Sequence, residues 1–160
     1  MDLDIAFPES SSFSRITAEM CDYNGHMNVL FYFKMFIENL ETYYEDDLGF
    51  SKEYFKQGFS SFSLEDNIKY LKECKLGELV RTRYRLNAYN KKLIHLVAVM
   101  INEKREICSI YETIIAHVDM LVRSTSEMSE EFIKNIDSIF RLHTKKELEL
   151  PLKLSIKALK

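Results

Sequence analysis

Asp22-Tyr23-Asn24-Gly25-His26-Met27-Asn28 is the stretch of this chain whose residue types could do chemistry. A carboxylate, an amide and an imidazole, on Asp22, Asn24 and His26, recur at every second position, so an extended segment or open loop would point all three the same way. Gly25 between them lets the backbone take positive φ or approach a ligand closely. Asn24 can orient a water or a substrate oxygen through its amide, and His26 can give or take a proton near neutral pH. The run abuts a long apolar segment with helical spacing, and the first turn of a helix carries N–H groups without intrahelical partners. There the macrodipole also favours an oxygen that gains negative charge, which makes the amides around Gly25, His26 and Met27 candidate oxyanion donors. The combination suits carbonyl chemistry. Asp22 equally suits a structural task, as a helix cap or an Asx-turn residue.

The elements that must position this cluster follow from periodicity. Between Met27 and Tyr44 the polar residues Lys34, Glu38, Glu41 and Glu45 fall on one narrow helical stripe, while Leu30, Phe31, Phe33, Met35, Phe36, Ile37, Leu40, Tyr43 and Tyr44 occupy the rest. A helix apolar around most of its circumference has to be wrapped on several sides. A short strand is expected around residues 13–16 and a short helix over 51–57, closed by Gly58. Downstream, Val80, Thr82, Tyr84, Leu86 and Ala88 alternate with Arg81, Arg83, Arg85 and Asn87, which predicts a strand with one buried and one solvated face. Residues 93–101 read as a central strand, joined to it antiparallel through Tyr89-Asn90-Lys91-Lys92. Residues 59–74 and 107–122 supply two more strands, and Ser129 caps an amphipathic helix through Phe132, Ile133, Ile136, Ile139 and Phe140. The order is mixed α+β, with an antiparallel sheet able to curve around one long helix.

The whole chain bounds the function. It has 160 residues, 46% apolar and 29% charged, the composition of an ordinary globular chain. The expected organisation is a polar lead-in over 1–12 with little to bury, a domain over 13–140, and a tail over 141–160 that either adds an edge strand or stays loose. A formal charge of −3 lacks the basic excess that a phosphate backbone demands, so no nucleic-acid partner is expected. Cys21, Cys74 and Cys108 are odd in number and without CxxC pairing, which points to neither a disulfide framework nor a zinc site and suggests a reducing, cytoplasmic setting. His95 and His117 read as satisfied core histidines, and no metal is expected. The acidic start and the absence of a long apolar run predict no membrane insertion.

The run Asp22-Tyr23-Asn24-Gly25-His26-Met27-Asn28-Val29 followed by Tyr32 resembles the hotdog-fold acyl-CoA thioesterases of the 4-hydroxybenzoyl-CoA thioesterase-like group. Within it the stronger likeness is to the betainyl-CoA thioesterase domain fused to carnitine dehydrogenases, whose helix also starts NGHMNV. The likeness continues through Leu64-Glu65, Tyr70-Leu71-Lys72-Glu73, Gly77-Glu78, Lys92-Leu93-Ile94-His95 and His117-Val118-Asp119. It implies a hotdog fold, hydrolysis of an acyl-CoA with no cofactor beyond the coenzyme A of the substrate, and a homodimer or homotetramer. It also implies that Asp22 is nucleophile or general base on water, with Asn24 and His26 beside it and Glu65 as a second carboxylate taken from a strand, often across a dimer. Glu73 competes with Glu65 for that role. Tyr23, Gly25, Met27, Asn28 and Tyr32 complete the substrate side: Tyr23 could line an acyl pocket, while Asn28 and Tyr32, four apart on one helix face, would fix the loop. The alternatives are a non-catalytic acyl-CoA or lipid-binding module and an enoyl-thioester hydratase, the latter needing a different His/Asp arrangement.

Overall fold

The long helix sits where the apolar segment predicts it. In the computed structural model, which describes residues 1–158, α2 spans Val29–Thr42 and follows a four-residue helix α1 (Leu3–Ala6) and two short strands, β1 (Glu9–Ser10) and β2 (Ser14–Arg15). Asn28 caps α2, its Oδ1 accepting the Leu30 amide at 3.0 Å. The helix ends in a π-turn over Tyr43–Asp47, and Gly49, at φ 94°, breaks it. After α3 (Lys52–Lys56) come β3 (Phe59–Tyr70), β4 (Leu79–Tyr89), β5 (Leu93–Asn102), β6 (Ile107–Asp119), β7 (Ser124–Thr125) and α4 (Glu130–His143). The antiparallel sheet runs β1-β4-β5-β6-β3, with β2 also on β4 and β7 on β6. This is the α+β hotdog arrangement, a sheet curved around one helix.

The main core lies between α2, α4 and the inner face of the sheet. Phe36 stacks on Tyr111 with ring centroids 5.2 Å apart, and Met35, Leu40, Leu86, Leu96 and Ile136 close around them. Full burial of a side chain the size of Phe36 stabilises by roughly 1.5–3 kcal/mol, so this contact alone holds α2 firmly on the sheet. The wrapping is nevertheless incomplete. Leu30, Phe33 and Ile37 remain 65%, 38% and 41% exposed, forming an i, i+3, i+7 stripe on α2 that is left partly uncovered among the described residues.

Three expectations change on the outer face of the sheet. Residues 1–12, expected to have little to bury, bury Leu3, Ala6 and Phe7 against Val97, Val99, Ile101 and Ile110, and β1 pairs with β4. The arginine face of β4 is not solvated either. Arg83 Nε donates to the Phe7 carbonyl at 2.8 Å and its Nη1 meets Asp4 at 2.5 Å, while Arg85 Nη1 donates to the carbonyls of Ala6 and Lys146. A strict alternation cannot distinguish water from a covering strap made of backbone carbonyls, because a guanidinium bonds equally well to both. Within the expected tail over 141–160, of which 159–160 lie outside the described residues, residues 148–154 are neither strand nor loose: Leu148, Leu150 and Leu152 pack on the same outer cluster, and Leu154 on a second with Ile114 and Val118. The Lys153 and Leu154 amides donate to the buried Glu112 carboxylate at 2.8 and 3.0 Å. Among the described residues no helix is long and apolar enough to cross a membrane.

Candidate active site

The Asp22–Asn28 run folds as a tight turn and not as an extended strand. Gly25, at φ 76°, donates its amide to the Asp22 carbonyl at 3.0 Å, the Asp22 amide donates to the His26 carbonyl, and Cys21 bridges Met27. Asp22 Oδ1 accepts the Asn24 amide at 2.9 Å, an Asx-turn contact. The turn brings the two ends together: His26 Nε2 lies 3.6 Å from Asp22 Oδ2. Asn24 and Tyr23 are exposed at the tip of the turn. Alternation suggests that the side chains of Asp22, Asn24 and His26 act side by side; closure of the turn sets those of the first and third 3.6 Å apart, while Asn24 meets Asp22 through its backbone amide.

The second wall is the segment between β3 and β4. The Met27 amide donates to the Cys74 carbonyl at 2.8 Å and the Leu76 amide to the Gly25 carbonyl, so residues 25–27 run as a third ribbon along 74–76. This places Glu73 Oε2 3.1 Å from His26 Nδ1, with Lys75 3.1 Å from the other carboxylate oxygen. Hydrogen bonds from Lys75 and then His26 hold the Glu73 carboxyl below the usual glutamate range. His26 therefore sits between two carboxylates. Tyr32 is buried beneath the pair, its hydroxyl accepting the Cys74 amide at 3.1 Å and its ring edge-on to Tyr70 at 5.1 Å. Burial and the Cys74 contact push its phenol far above ordinary values, so it stays a neutral structural pin.

Of the amides expected as oxyanion donors, those of Gly25 and Met27 are engaged and that of His26 is free among the described residues. The amides of Gly25, Met27 and Asn28 are spent on the carbonyls of Asp22, Cys74 and Met20. Among the described residues, no hydrogen bond engages the amides of His26 and Val29. Val29 opens α2 and, with His26, Met27, Tyr32, Tyr70, Leu71, Lys72 and Glu73, lines a cleft of about 240 Å³. The helix N-terminal donor is therefore Val29, one residue past the run that sequence singled out.

Glu65 is not part of this cleft. A bulge between Ser63 and Glu65 shifts the register of β3 on β6, so Glu65 pairs with Ile114 on the outer face and Asp66 with Thr113 on the helix side. Asp66 accepts the Tyr111 hydroxyl at 2.6 Å. One extra residue in a strand reverses every later side chain, which no alternation count reveals. The carboxylate that reaches His26 is Glu73, which sequence held only as a rival; the Tyr70-Leu71-Lys72-Glu73 match was the available signal. His117 is satisfied in the sheet, its Nε2 sharing a 2.6 Å hydrogen bond with the Tyr54 hydroxyl, whereas His95 Nε2 lies 3.3 Å from Glu112 without forming a hydrogen bond.

A second cavity, of about 390 Å³, opens between the later turns of α2 and the sheet. Leu40, Leu96, Tyr111 and Ile115 form its walls, and Glu38, Glu41 and Tyr44 lie toward the helix. Tyr44 and Ser61 share a hydrogen bond of 2.6 Å across one end.

A long antiparallel sheet curved around one helix is the hotdog arrangement, and in this chain the Asp22–His26 pair stands at that helix's start. The chain belongs to the Thioesterase-like superfamily, whose sequence pattern matches residues 16–136. It is 28% identical over 130 residues to the L-carnitine dehydrogenase/betainyl-CoA thioesterase of Agrobacterium fabrum, covering 81% of this chain and 26% of that protein. The corresponding protein of Rhizobium meliloti is 25% identical over 144 residues, covering 89% and 29%. The chain thus spans under a third of the length of these curated relatives. In three dimensions it is similar to a hypothetical protein of Staphylococcus aureus solved in complex with CoA, with TM-score 0.79, 23% identity and coverage of 92% and 94% of the two chains. A DHNA-CoA thioesterase of the same organism superposes with TM-score 0.72 at 17% identity, covering 88% and 95%.

Proposed function

We propose that this chain hydrolyses acyl-CoA thioesters, with Asp22 as the carboxylate that activates water or attacks the thioester carbon. The observation that carries the reading is the cleft at the start of α2 lined by His26 and Val29, whose amides are free among the described residues, with the Asp22 carboxylate 3.6 Å from the His26 ring. In hydrolysis a water oxygen bonds to the thioester carbon while its proton passes to the carboxylate, and the carbonyl oxygen becomes an oxyanion facing the amides. Collapse breaks the C–S bond, and the departing CoA thiolate takes up the proton. His26, held between Asp22 and Glu73, orients the carboxylate and serves as a proton relay. The reading needs no metal or redox cofactor; coenzyme A enters as part of the substrate.

The same reading makes the protein a homodimer in a reducing, cytoplasmic setting. Among the described residues β3 pairs with β6 on one side only, leaving a 12-residue strand with an unpaired edge. Unpaired edges of that length are normally covered. α2 runs antiparallel beside β3, since Tyr32 meets Tyr70 and Tyr44 meets Ser61. Pairing two β3 edges about a two-fold axis near mid-strand sets the Tyr70 end of one against the Ser61 end of the other. The cleft of one subunit then opens toward the 390 Å³ cavity of its partner, and Leu30, Phe33 and Ile37 are covered. Asp66, on the helix side, is the β3 carboxylate such a dimer presents to the site in place of Glu65.

For the acyl group, betainyl-CoA is the first substrate to test. Support comes from the name borne by the relatives and from Glu38, Glu41 and the rings of Tyr44 and Tyr111 around the cavity, which suit a quaternary ammonium. The experiment is thiol release from betainyl-, acetyl-, hexanoyl- and benzoyl-CoA by the parent and Asp22→Ala. The expected result is turnover of at least one substrate with kcat down about 10²–10⁴-fold in the variant. Undiminished release by Asp22→Ala overturns the role of Asp22. CoA-thioester binding without release from any substrate returns the chain to a non-catalytic acyl-CoA-binding module.

A further inference from the structure

Tyr44, in the π-turn that ends α2, and Ser61, near the start of β3, both line the 390 Å³ cavity and share a hydrogen bond of 2.6 Å across one end of it. The ring is pinned at two points. Its face stacks on Phe50 with centroids 4.9 Å apart and planes 12° from parallel, and Phe50 is buried and packed against Phe132 at 5.0 Å. Its hydroxyl reaches the opposite strand because β3 offers only short side chains to the cavity there, Ser61 opposite His117 and Ser63 opposite Ile115. The tyrosine therefore spans the gap between helix and sheet.

A second tyrosine of the lining is tied off in the same way, the Tyr111 hydroxyl donating to Asp66 at 2.6 Å. With both hydroxyls engaged, the space is walled largely by Ile37, Leu40, Leu96 and Ile115, apolar surface that suits a hydrocarbon chain. Its length follows from the helix. Ile37 and Tyr44, the first and last helix-side residues of the lining, are seven positions apart, about 10 Å of helix. An extended chain with C–C bonds of about 1.5 Å advances about 1.3 Å per carbon, so about eight carbons fit. The dimer proposed above turns the Ser61 end of one subunit toward the cleft of the other, so a chain carried from that cleft meets the Tyr44–Ser61 pair first.

We propose that the Tyr44–Ser61 pair is a gate that selects acyl groups by length: closed, it keeps short groups at the cleft, and displaced, it admits a longer straight chain to the cavity. This role rests on the acyl-CoA reading and its dimer, and goes beyond them in naming the residues that decide which acyl group is taken. Opening breaks a hydrogen bond and an aromatic stack, so every chain that enters carries that cost. A short acyl group at the cleft incurs neither loss.

The test is the octanoyl-to-acetyl ratio of kcat/KM in thiol release, together with the ratio of affinities for the S-octyl and S-ethyl thioethers of CoA, which cannot be hydrolysed. Tyr44→Phe and Ser61→Ala keep the ring and lose only the hydrogen bond, and each should raise both ratios about two- to tenfold. Tyr44→Ala removes the ring as well and should raise them at least about tenfold, with dodecanoyl-CoA gaining no more than octanoyl-CoA. Ratios within about twofold of the parent in all three variants overturn the gate, as does failure to bind either thioether. Because the thioethers bind without turnover, raised affinity ratios in a chain that releases no thiol uphold the gate and count against hydrolysis alone. Tyr44→Phe keeps the stack on Phe50, so it reads the gate even where Tyr44→Ala fails to fold.

Discussion

Glu112 on β6 offers the sharpest test of how the outer face is held together. Its carboxylate is fully buried and accepts from Asn67 at 3.1 Å and from the Lys153 and Leu154 amides at 2.8 and 3.0 Å, with His95 Nε2 3.3 Å away. Glu112→Ala leaves the Asn67 amide without its acceptor and the His95 imidazole without the neighbouring carboxylate, and frees residues 153–154 from the sheet. Breaking a buried charged network by removing one member costs about 3–5 kcal/mol. The released segment regains hydrogen bonds to water, so the low end, about 3 kcal/mol, is expected, and for a chain of this size that lowers Tm by about 6–12 °C. Glu112→Gln keeps an acceptor oxygen for the strap and should lose about half as much. Circular dichroism melts at neutral pH measure this, and trypsin should cut the Glu112→Ala chain sooner at Lys145, Lys146 and Lys153. The pH dependence follows from sign. Burial raises the Glu112 carboxyl, but His95 and the two strap amides outweigh it and leave the group below the ordinary 4.5. Its contribution is therefore complete above the unfolded value and is lost as pH falls through the lower folded one, so the strap loosens only in acid. A Glu112→Ala protein that melts within about 1 °C of the parent, with an unchanged tryptic pattern, would refute this account.

Two further outcomes test the subunit interface and the turn. Phe33→Glu places a charge in the middle of the exposed α2 stripe and should convert a dimer to a monomer in light scattering, with thiol release reduced at least tenfold; an active dimer would show that the stripe is not an interface. Gly25→Ala meets no neighbour within 4 Å, so its cost is the positive φ alone, about 1 kcal/mol. It should lower kcat through displacement of Asp22 while shifting Tm by about 2–4 °C, and unchanged kcat would detach the turn geometry from the chemistry.

Legibility in the sequence varied by element for physical reasons. The four long strands and both long helices were readable because side-chain period is a local property of backbone geometry: residues 93–101 were expected as a central strand, and every residue of β5 is buried. The Ser129 cap could be read the same way, since a cap is a contact of three residues, here Phe132 N to Ser129 Oγ at 3.1 Å. The arginines of β4 were misplaced because what covers a strand face comes from distant parts of the chain, residues 6, 7 and 146. Within the site, the identity of the Asp22–Asn28 cluster was plain in its residue types, but its geometry was not.

The sequence by itself determined the period of each element, the cap and the chemically competent residues, all of which depend on neighbours a few positions away. Tertiary structure alone decided that Asp22 meets His26 across a turn, that Glu73 and not Glu65 stands beside the imidazole, and that Val29 holds the free amide at the helix start. The choice of Glu73 over Glu65 depends on registers between segments far apart in the chain, the 25–27 ribbon on 74–76 and the bulge of β3 against β6. A register is set by the sum of many weak contacts along both partners, so one residue more or less redirects a side chain while leaving the local pattern intact.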